Sequence, residues 1–138
     1  MIIAVDFDGT IVEHKYPEIG RELPFATDSL RKLTEQGHRL ILWTVRRGEL
    51  LQQAVDWCKE RGVEFYAVNK NFPEEEIEEA NMYGKINAEI FIDDRNLGGL
   101  PDWGEIYMMI SKNKTWEDIY SNTELDDKPV KKKRGWFW

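Results

Sequence analysis

Four short apolar runs alternate along the chain with segments of helical periodicity. The runs cover residues 2–5, 39–44, 63–68 and 86–92. Their apolar, partly β-branched character is typical of strands that are buried on both faces. The order strand, helix, strand, helix, strand, helix, strand, helix predicts an α/β domain with a mainly parallel central sheet and helices on both of its faces.

Capping signals set the predicted helix boundaries. Gly37 and Gly62 end the first two helices, because glycine is the usual residue just past a helix end. The third helix is predicted to end at Gly84. The predicted caps or first residues of the five helices are Thr27 or Asp28, Gly48, Pro73, Asp102 and Thr115.

Polar residues follow three of the four predicted strands. Asp6 and Asp8 come after the first strand, Thr44 ends the second, and Asp93 and Asp94 follow the fourth. In parallel sheets ligands bind outside the carboxyl ends of the strands. Acids that meet in such a low-dielectric place repel each other, and a divalent cation would compensate them. The alternative for the first pair alone is an ordinary acidic turn after an edge strand.

Four motifs in order resemble those of the haloacid dehalogenase superfamily, in its phosphatase branch. They are Asp-Phe-Asp-Gly-Thr at residues 6–10, Thr44 after an apolar strand, Lys85, and the Asp93-Asp94 pair after another apolar strand. The resemblance covers about residues 1–110. It implies a Rossmann-like three-layer sandwich, a Mg²⁺ ion and an aspartyl-phosphate intermediate.

The resemblance assigns roles to the acidic residues. Asp6 would be the nucleophile that attacks phosphorus. Asp8 would protonate the leaving alcohol and then activate water as a base. Asp6, Asp94 and the backbone carbonyl of Asp8 would hold Mg²⁺, with Asp93 acting through water. The opposite assignment of Asp93 and Asp94 stays open.

The remaining predicted site residues would handle the phosphate. Thr44 would bind the transferring phosphoryl group through its hydroxyl and the amide that follows. Lys85 would neutralise its charge, with Lys70 as the rival lysine. Arg46, Arg47 and Arg95 lie just past strand ends and could meet a second anionic group on the substrate; the alternative is that they are ordinary surface arginines.

Charge and chain length narrow the range of partners. The 138 residues carry a net charge of -7, but residues 128–138 hold five basic residues and no acid, so the preceding 127 residues carry about -12. An acidic body disfavours a polynucleotide substrate. No apolar run is long enough to span a membrane, and Cys58 is the only cysteine, so we expect a cytoplasmic protein.

We predict one catalytic core over residues 1–122 and a basic, aromatic tail over residues 123–138. No stretch of the core is long enough for an inserted cap domain, so the site should be open. The tail could dock on the acidic body of its own or a neighbouring subunit, contact an anionic membrane surface, or be disordered; docking on a neighbour would give a homo-oligomer.

The predicted function is Mg²⁺-dependent hydrolysis of a phosphomonoester whose identity the sequence does not reveal. An open site and the adjacent arginines Arg46 and Arg47 also allow a polynucleotide end phosphatase. A third hypothesis is a non-catalytic phosphate-binding or regulatory module. The presence of Asp6, the candidate nucleophile, argues against it.

Overall fold

The computed structural model describes residues 1–76 and 86–112. The elements in these ranges are β1 (Ile2–Val5), α1 (Ala26–Glu35), β2 (Arg39–Leu42), α2 (Gly48–Glu60), β3 (Ala67–Val68), β4 (Ile90–Ile92) and α3 (Trp103–Ser111). The strands form one sheet in the order β3-β2-β1-β4, and every pair is parallel. The predicted α/β fold with a parallel sheet is therefore confirmed, and the described ranges contain no inserted cap domain.

Strand β1 lies in the centre of the sheet, between β2 and β4. Its last residue, Val5, is in register with the last residue of each neighbour, Leu42 and Ile92. The three strands thus end at the same level. Because parallel strands share a direction, the residues that follow all three emerge at one edge of the sheet.

Two apolar clusters pack against the sheet. Residues 3 and 5 of β1, with residues 40 and 42 of β2, belong to the larger cluster, which also contains the buried sides of all three described helices. The smaller cluster forms around Ile41, Ala67 and Ile86. Side chains alternate between the two faces of a strand, so this second cluster lies on the opposite face from Leu40 and Leu42.

Three predicted strands are shorter than expected: the second ends at Leu42 and not at Thr44, and the third and fourth lose most of their length. Only Ala67–Val68 and Ile90–Ile92 pair in the sheet, whereas the apolar runs cover residues 63–68 and 86–92. Val63 is buried, but its amide donates to the Cys58 carbonyl at the end of α2 and makes no ladder bond. An apolar run reports burial, and burial extends beyond the residues that have a paired neighbour.

The predicted cap of α3 is confirmed, and that of α1 is wrong. The Asp102 carboxylate accepts a hydrogen bond from the Glu105 amide at 2.9 Å. Helix α1 already begins at Ala26, so Thr27 and Asp28 lie inside its first turn. The Glu22 side chain accepts from the Thr27 amide at 2.8 Å instead, and so satisfies a free N–H group at the helix start.

The third predicted helix is not found in its described part. Residues 73 and 74 lie in a turn, and the Glu75 amide donates to the Phe72 carbonyl. The rest of that prediction, residues 77–84, the last short helix and the C-terminal tail lie outside the described residues. Within residues 1–76 and 86–112, no helix combines the length and apolar character needed to cross a membrane.

Candidate active site

A pocket of about 430 Å³ lies at the carboxyl edge of the sheet. Asp6, Asp8, Thr44 and Asp93 line it, so residues from three strand ends meet as the sequence predicts. The other lining residues are His14, Tyr16, Trp43, Val45, Arg47 and Arg95. This volume lies within the usual range for a small-molecule site, which is roughly 300–1,000 Å³.

Three carboxylates form one cluster beside this pocket. Asp6, Asp93 and Asp94 each offer an oxygen atom, and these atoms all lie within 4.8 Å of one another. Gly9 leaves room for this approach, since a Cβ atom there would lie 2.4 Å from Asp94 Oδ2. Its positive φ of 85° also suits glycine better than any other residue.

Thr10 joins the ends of β1 and β4. Its buried hydroxyl lies 3.2 Å from Asp6 Oδ2 and 3.3 Å from Asp94 Oδ1, to which it can donate, and it accepts from the Asp94 amide at 3.0 Å. The indole Nε1 of Trp103, on α3, donates to the Thr10 carbonyl at 2.8 Å. Thr10 therefore fixes the separation of two carboxylates that come from distant parts of the chain.

The pKa of Asp6 is raised to about 7, mainly by burial, then by the negative charge of Asp93 and, to a smaller extent, by that of Asp94. The Phe7 amide and the Thr10 hydroxyl oppose this shift by hydrogen bonding to the carboxylate. The described ion pairs include none to these three acids. Their oxygen atoms form a donor set that suits a hard divalent cation, whose charge would relieve the repulsion.

Asp8 has a very different environment. Its carboxylate is 8% exposed and forms a two-bond ion pair with Arg46, whose side chain is fully buried. Arg46 Nε donates to Asp8 Oδ2 at 2.8 Å, and Nη2 donates to Oδ1 at 2.7 Å. Asp8 still lines the pocket, so its carboxylate is held in place at the pocket wall.

Thr44 is held by its neighbours on both sides. Its amide donates to Asn69 Oδ1 at 2.8 Å, and its hydroxyl accepts from the Arg46 amide at 3.1 Å. The residue is 7% exposed, and its small open surface faces the pocket. A threonine in this position can offer its hydroxyl to a ligand without needing to change its backbone conformation.

The basic residues are placed differently from what the sequence suggests. Arg46, predicted to meet an anionic group of the substrate, does not line the pocket and is bound to Asp8 instead. Arg47 and Arg95 do line it, whereas Lys70 does not. Lys85 lies outside the described residues, so the choice between the two lysines stays a prediction.

A comparison with solved structures gives a relative. A structure of a conserved protein coded by a locus from Bacteroides thetaiotaomicron is 58% identical to the chain, with a TM-score of 0.78. The match covers 87% of this chain and 97% of that one. The chain belongs to the family of this Bacteroides protein. No protein-family model matches the chain, and no curated protein matches it either.

The sequence did not predict two of the residues that line the pocket of this chain. His14 and Tyr16, which are not among the predicted site residues, both line the pocket and belong to the irregular segment that follows β1. Nothing in their spacing marks them, because a loop has no period that would predict its direction. The position of Arg46 just past a strand end predicts that it lies near the site, but it does not predict that Arg46 binds Asp8.

Proposed function

We propose that the protein is a phosphomonoester hydrolase of the haloacid dehalogenase type, with Asp6 as its nucleophile and Mg²⁺ as its cofactor. The observation that supports this most is the meeting of Asp6, Asp8, Thr44 and Asp93 around one pocket. These residues come from three separate strand ends, and phosphoryl transfer needs a nucleophile, a proton donor and a phosphate-binding group within reach of one phosphorus atom.

The proposed reaction has two steps. Asp8 first takes up a proton from solvent; a carboxylate oxygen of Asp6 then attacks phosphorus, the bond from phosphorus to the ester oxygen breaks, and Asp8 gives that proton to the departing alcohol. Asp8 then takes a proton from water, the water oxygen attacks the acyl phosphate, and the bond from phosphorus to Asp6 breaks. Inorganic phosphate leaves, and both carboxyl groups return to the states that they had before the attack.

The remaining groups support this chemistry by position and charge. Thr44 binds a phosphoryl oxygen through its hydroxyl. Asp6, Asp94 and the backbone carbonyl of Asp8 would hold Mg²⁺, with Asp93 acting through water; the cluster of the Asp6, Asp93 and Asp94 carboxylates supports a cation there. The bound cation supplies positive charge that offsets the negative charge on the phosphoryl oxygens. Lys85 is proposed to add a second positive charge.

A substrate panel tests the proposal. The purified protein with Mg²⁺ is assayed for phosphate release from sugar phosphates, nucleotides, phosphopeptides and 3′-phosphorylated oligonucleotides. We expect turnover of at least one class of small ester, and we expect Asp6→Asn to lower kcat by at least about 10³-fold because the amide is not a nucleophile. The matched control is Asp56→Asn, the same change at an exposed position on α2.

The outcomes separate the hypotheses. Turnover confined to the oligonucleotides would support a polynucleotide end phosphatase instead. Turnover by Asp6→Asn equal to that of the parent would remove Asp6 as the nucleophile. Phosphate binding without turnover of any substrate would favour the non-catalytic module.

A further inference from the structure

Arg46 is enclosed by groups from three parts of the chain. Besides its two bonds to Asp8, its Nη2 donates to the Glu18 carbonyl at 3.0 Å, and its Nη1 donates to the Leu50 carbonyl at 3.3 Å. The guanidinium carbon also lies over two aromatic rings, 5.1 Å from the centre of Phe7 and 5.2 Å from that of Tyr16.

This arrangement fixes the guanidinium in orientation as well as in place. A planar group that donates four hydrogen bonds to three different acceptor residues cannot turn without breaking several contacts. A buried ion pair of this kind gives little net stability relative to well-packed apolar residues, so stability alone does not account for it. Its specific effect is geometric, because both oxygens of Asp8 are held at fixed points on the pocket wall.

We infer that Arg46 is a positioning residue, which holds the Asp8 carboxyl group in the orientation needed for proton transfer to and from the reacting oxygen atoms. Each Asp8 oxygen accepts one bond from Arg46 and keeps a second lone pair, while the residue lines the pocket beside Asp6. The inference rests on the proposed function, since it concerns the step in which Asp8 protonates the leaving group.

The same guanidinium connects Asp8 to the segment after β1. Tyr16 lies against it in a cation–π contact and lines the pocket, and the Glu18 carbonyl accepts a hydrogen bond from it. Tyr16 is 46% exposed, so this ring can be changed with little expected effect on the core. Arg46 thus contacts both the Asp8 carboxylate and Tyr16, which forms part of one pocket wall. Removing the contact with Tyr16 should therefore also make the position of Asp8 less fixed.

A series of ring-substituted phenyl phosphates tests the inference with the full chain and Mg²⁺. These esters share one shape but differ in how readily the phenol leaves, and kcat/KM reports the step in which it departs. We expect Arg46→Lys, which keeps the charge but not the fork of two bonds, to lower kcat/KM far more for phenyl phosphate than for p-nitrophenyl phosphate. General acid catalysis contributes about 10²–10⁴-fold to a rate. The ratio of kcat/KM for phenyl phosphate to kcat/KM for p-nitrophenyl phosphate should therefore fall at least about 10-fold.

Three further variants complete the design. Arg61→Lys is the matched control, because Arg61 lies over Trp57, outside the pocket lining, and this ratio should not change. Tyr16→Leu should lower the ratio in the same direction by a smaller factor, and it decides the matter where Arg46→Lys does not fold. Added guanidinium should partly restore the ratio in Arg46→Ala.

The possible results distinguish the inference about Arg46 from the proposed function of the protein. Equal losses across the whole ester series in Arg46→Lys and Tyr16→Leu would show a merely structural role and overturn the inference, while the proposed function would stand. A parent protein that hydrolyses none of the esters in this series or in the substrate panel would overturn the proposed function and the inference with it.

Discussion

Asp6 and Asp8 lie two residues apart at the end of one strand, yet their carboxyl groups meet opposite surroundings. Asp8 is paired with a buried arginine through two bonds of 2.7 and 2.8 Å. Asp6 lies beside two further acids, and its pKa is raised to about 7, mainly by burial and then by the charge of Asp93. One carboxylate is thus paired with a cation of the chain itself, whereas the other lies among like charges.

The difference would suit the two separate roles that we propose for this strand end. A carboxylate that is already paired by protein groups has a fixed orientation, which suits proton transfer at a defined point. A carboxylate that is crowded by like charges gains most from a bound cation, since the cation removes a repulsion present without it. The extended backbone directs both side chains toward one edge, and the partners from other elements then make them different.

The largest expected effect on stability comes from breaking the ion pair between Asp8 and Arg46. We expect Arg46→Met to lower the free energy of unfolding by about 3–5 kcal/mol, because Asp8 would remain as a buried charge with no partner. Urea denaturation at pH 7.5 measures this. The double variant Asp8→Leu with Arg46→Met should recover much of the loss, since no buried charge remains. A double variant as unstable as the sum of the two single changes would contradict this account of the pair.

The architecture around these residues is largely predictable from the sequence. Apolar runs that end in polar residues identify strands, and the parallel order then brings Asp6, Thr44 and Asp93 to one edge without any knowledge of contacts. The same reasoning fails at the ends of elements. Phe25 has a positive φ of 67° directly before α1, and no residue preference would predict that start.

The pairing of Asp8 with Arg46 was not predictable in this way. The two residues are 38 positions apart, and their contact depends on the exact separation of β1 from the start of α2. A sequence pattern identifies which edge a side chain reaches, but not which of several nearby groups it will bind. Arg46, Arg47 and Arg95 look equivalent in the sequence, and only packing distinguishes the buried one from those at the pocket.

Asp6, which lies among like charges, should have a smaller and pH-dependent effect on stability. A carboxyl group with a raised pKa binds its proton more tightly in the folded chain, so its contribution to stability is greatest below about pH 4 and falls as the pH rises to about 7. Allowing for partial exposure of Asp6, we expect a loss of about 1–3 kcal/mol over this range without divalent cations. The difference between the parent and Asp6→Asn, measured by denaturation from pH 4.5 to 8.5, isolates this contribution.

Divalent cations should reverse that loss. At pH 8 we expect Mg²⁺ to raise the Tm of the parent by mass action, and to raise that of Asp94→Asn much less. Without the cation, Asp93→Asn should be at least as stable as the parent at this pH, because one repulsive charge is gone. A parent whose stability rises between pH 4.5 and 7 relative to Asp6→Asn would show that Asp6 is not destabilised by its charge.

The smallest expected effect concerns Thr10, which connects the crowded carboxylates. Thr10→Val keeps the buried shape but removes the hydroxyl that lies near Asp6 and Asp94 and accepts from the Asp94 amide. We expect a loss of about 1 kcal/mol in unfolding free energy, since this amide would lose its partner. The pKa of Asp6 should rise further, because the hydroxyl bond normally lowers it, and the pH at which the parent loses stability should shift upward. Thr10→Ser keeps the hydroxyl and should leave that pH unchanged; the same upward shift in both variants would assign the effect to packing at Thr10 and not to its hydrogen bonds.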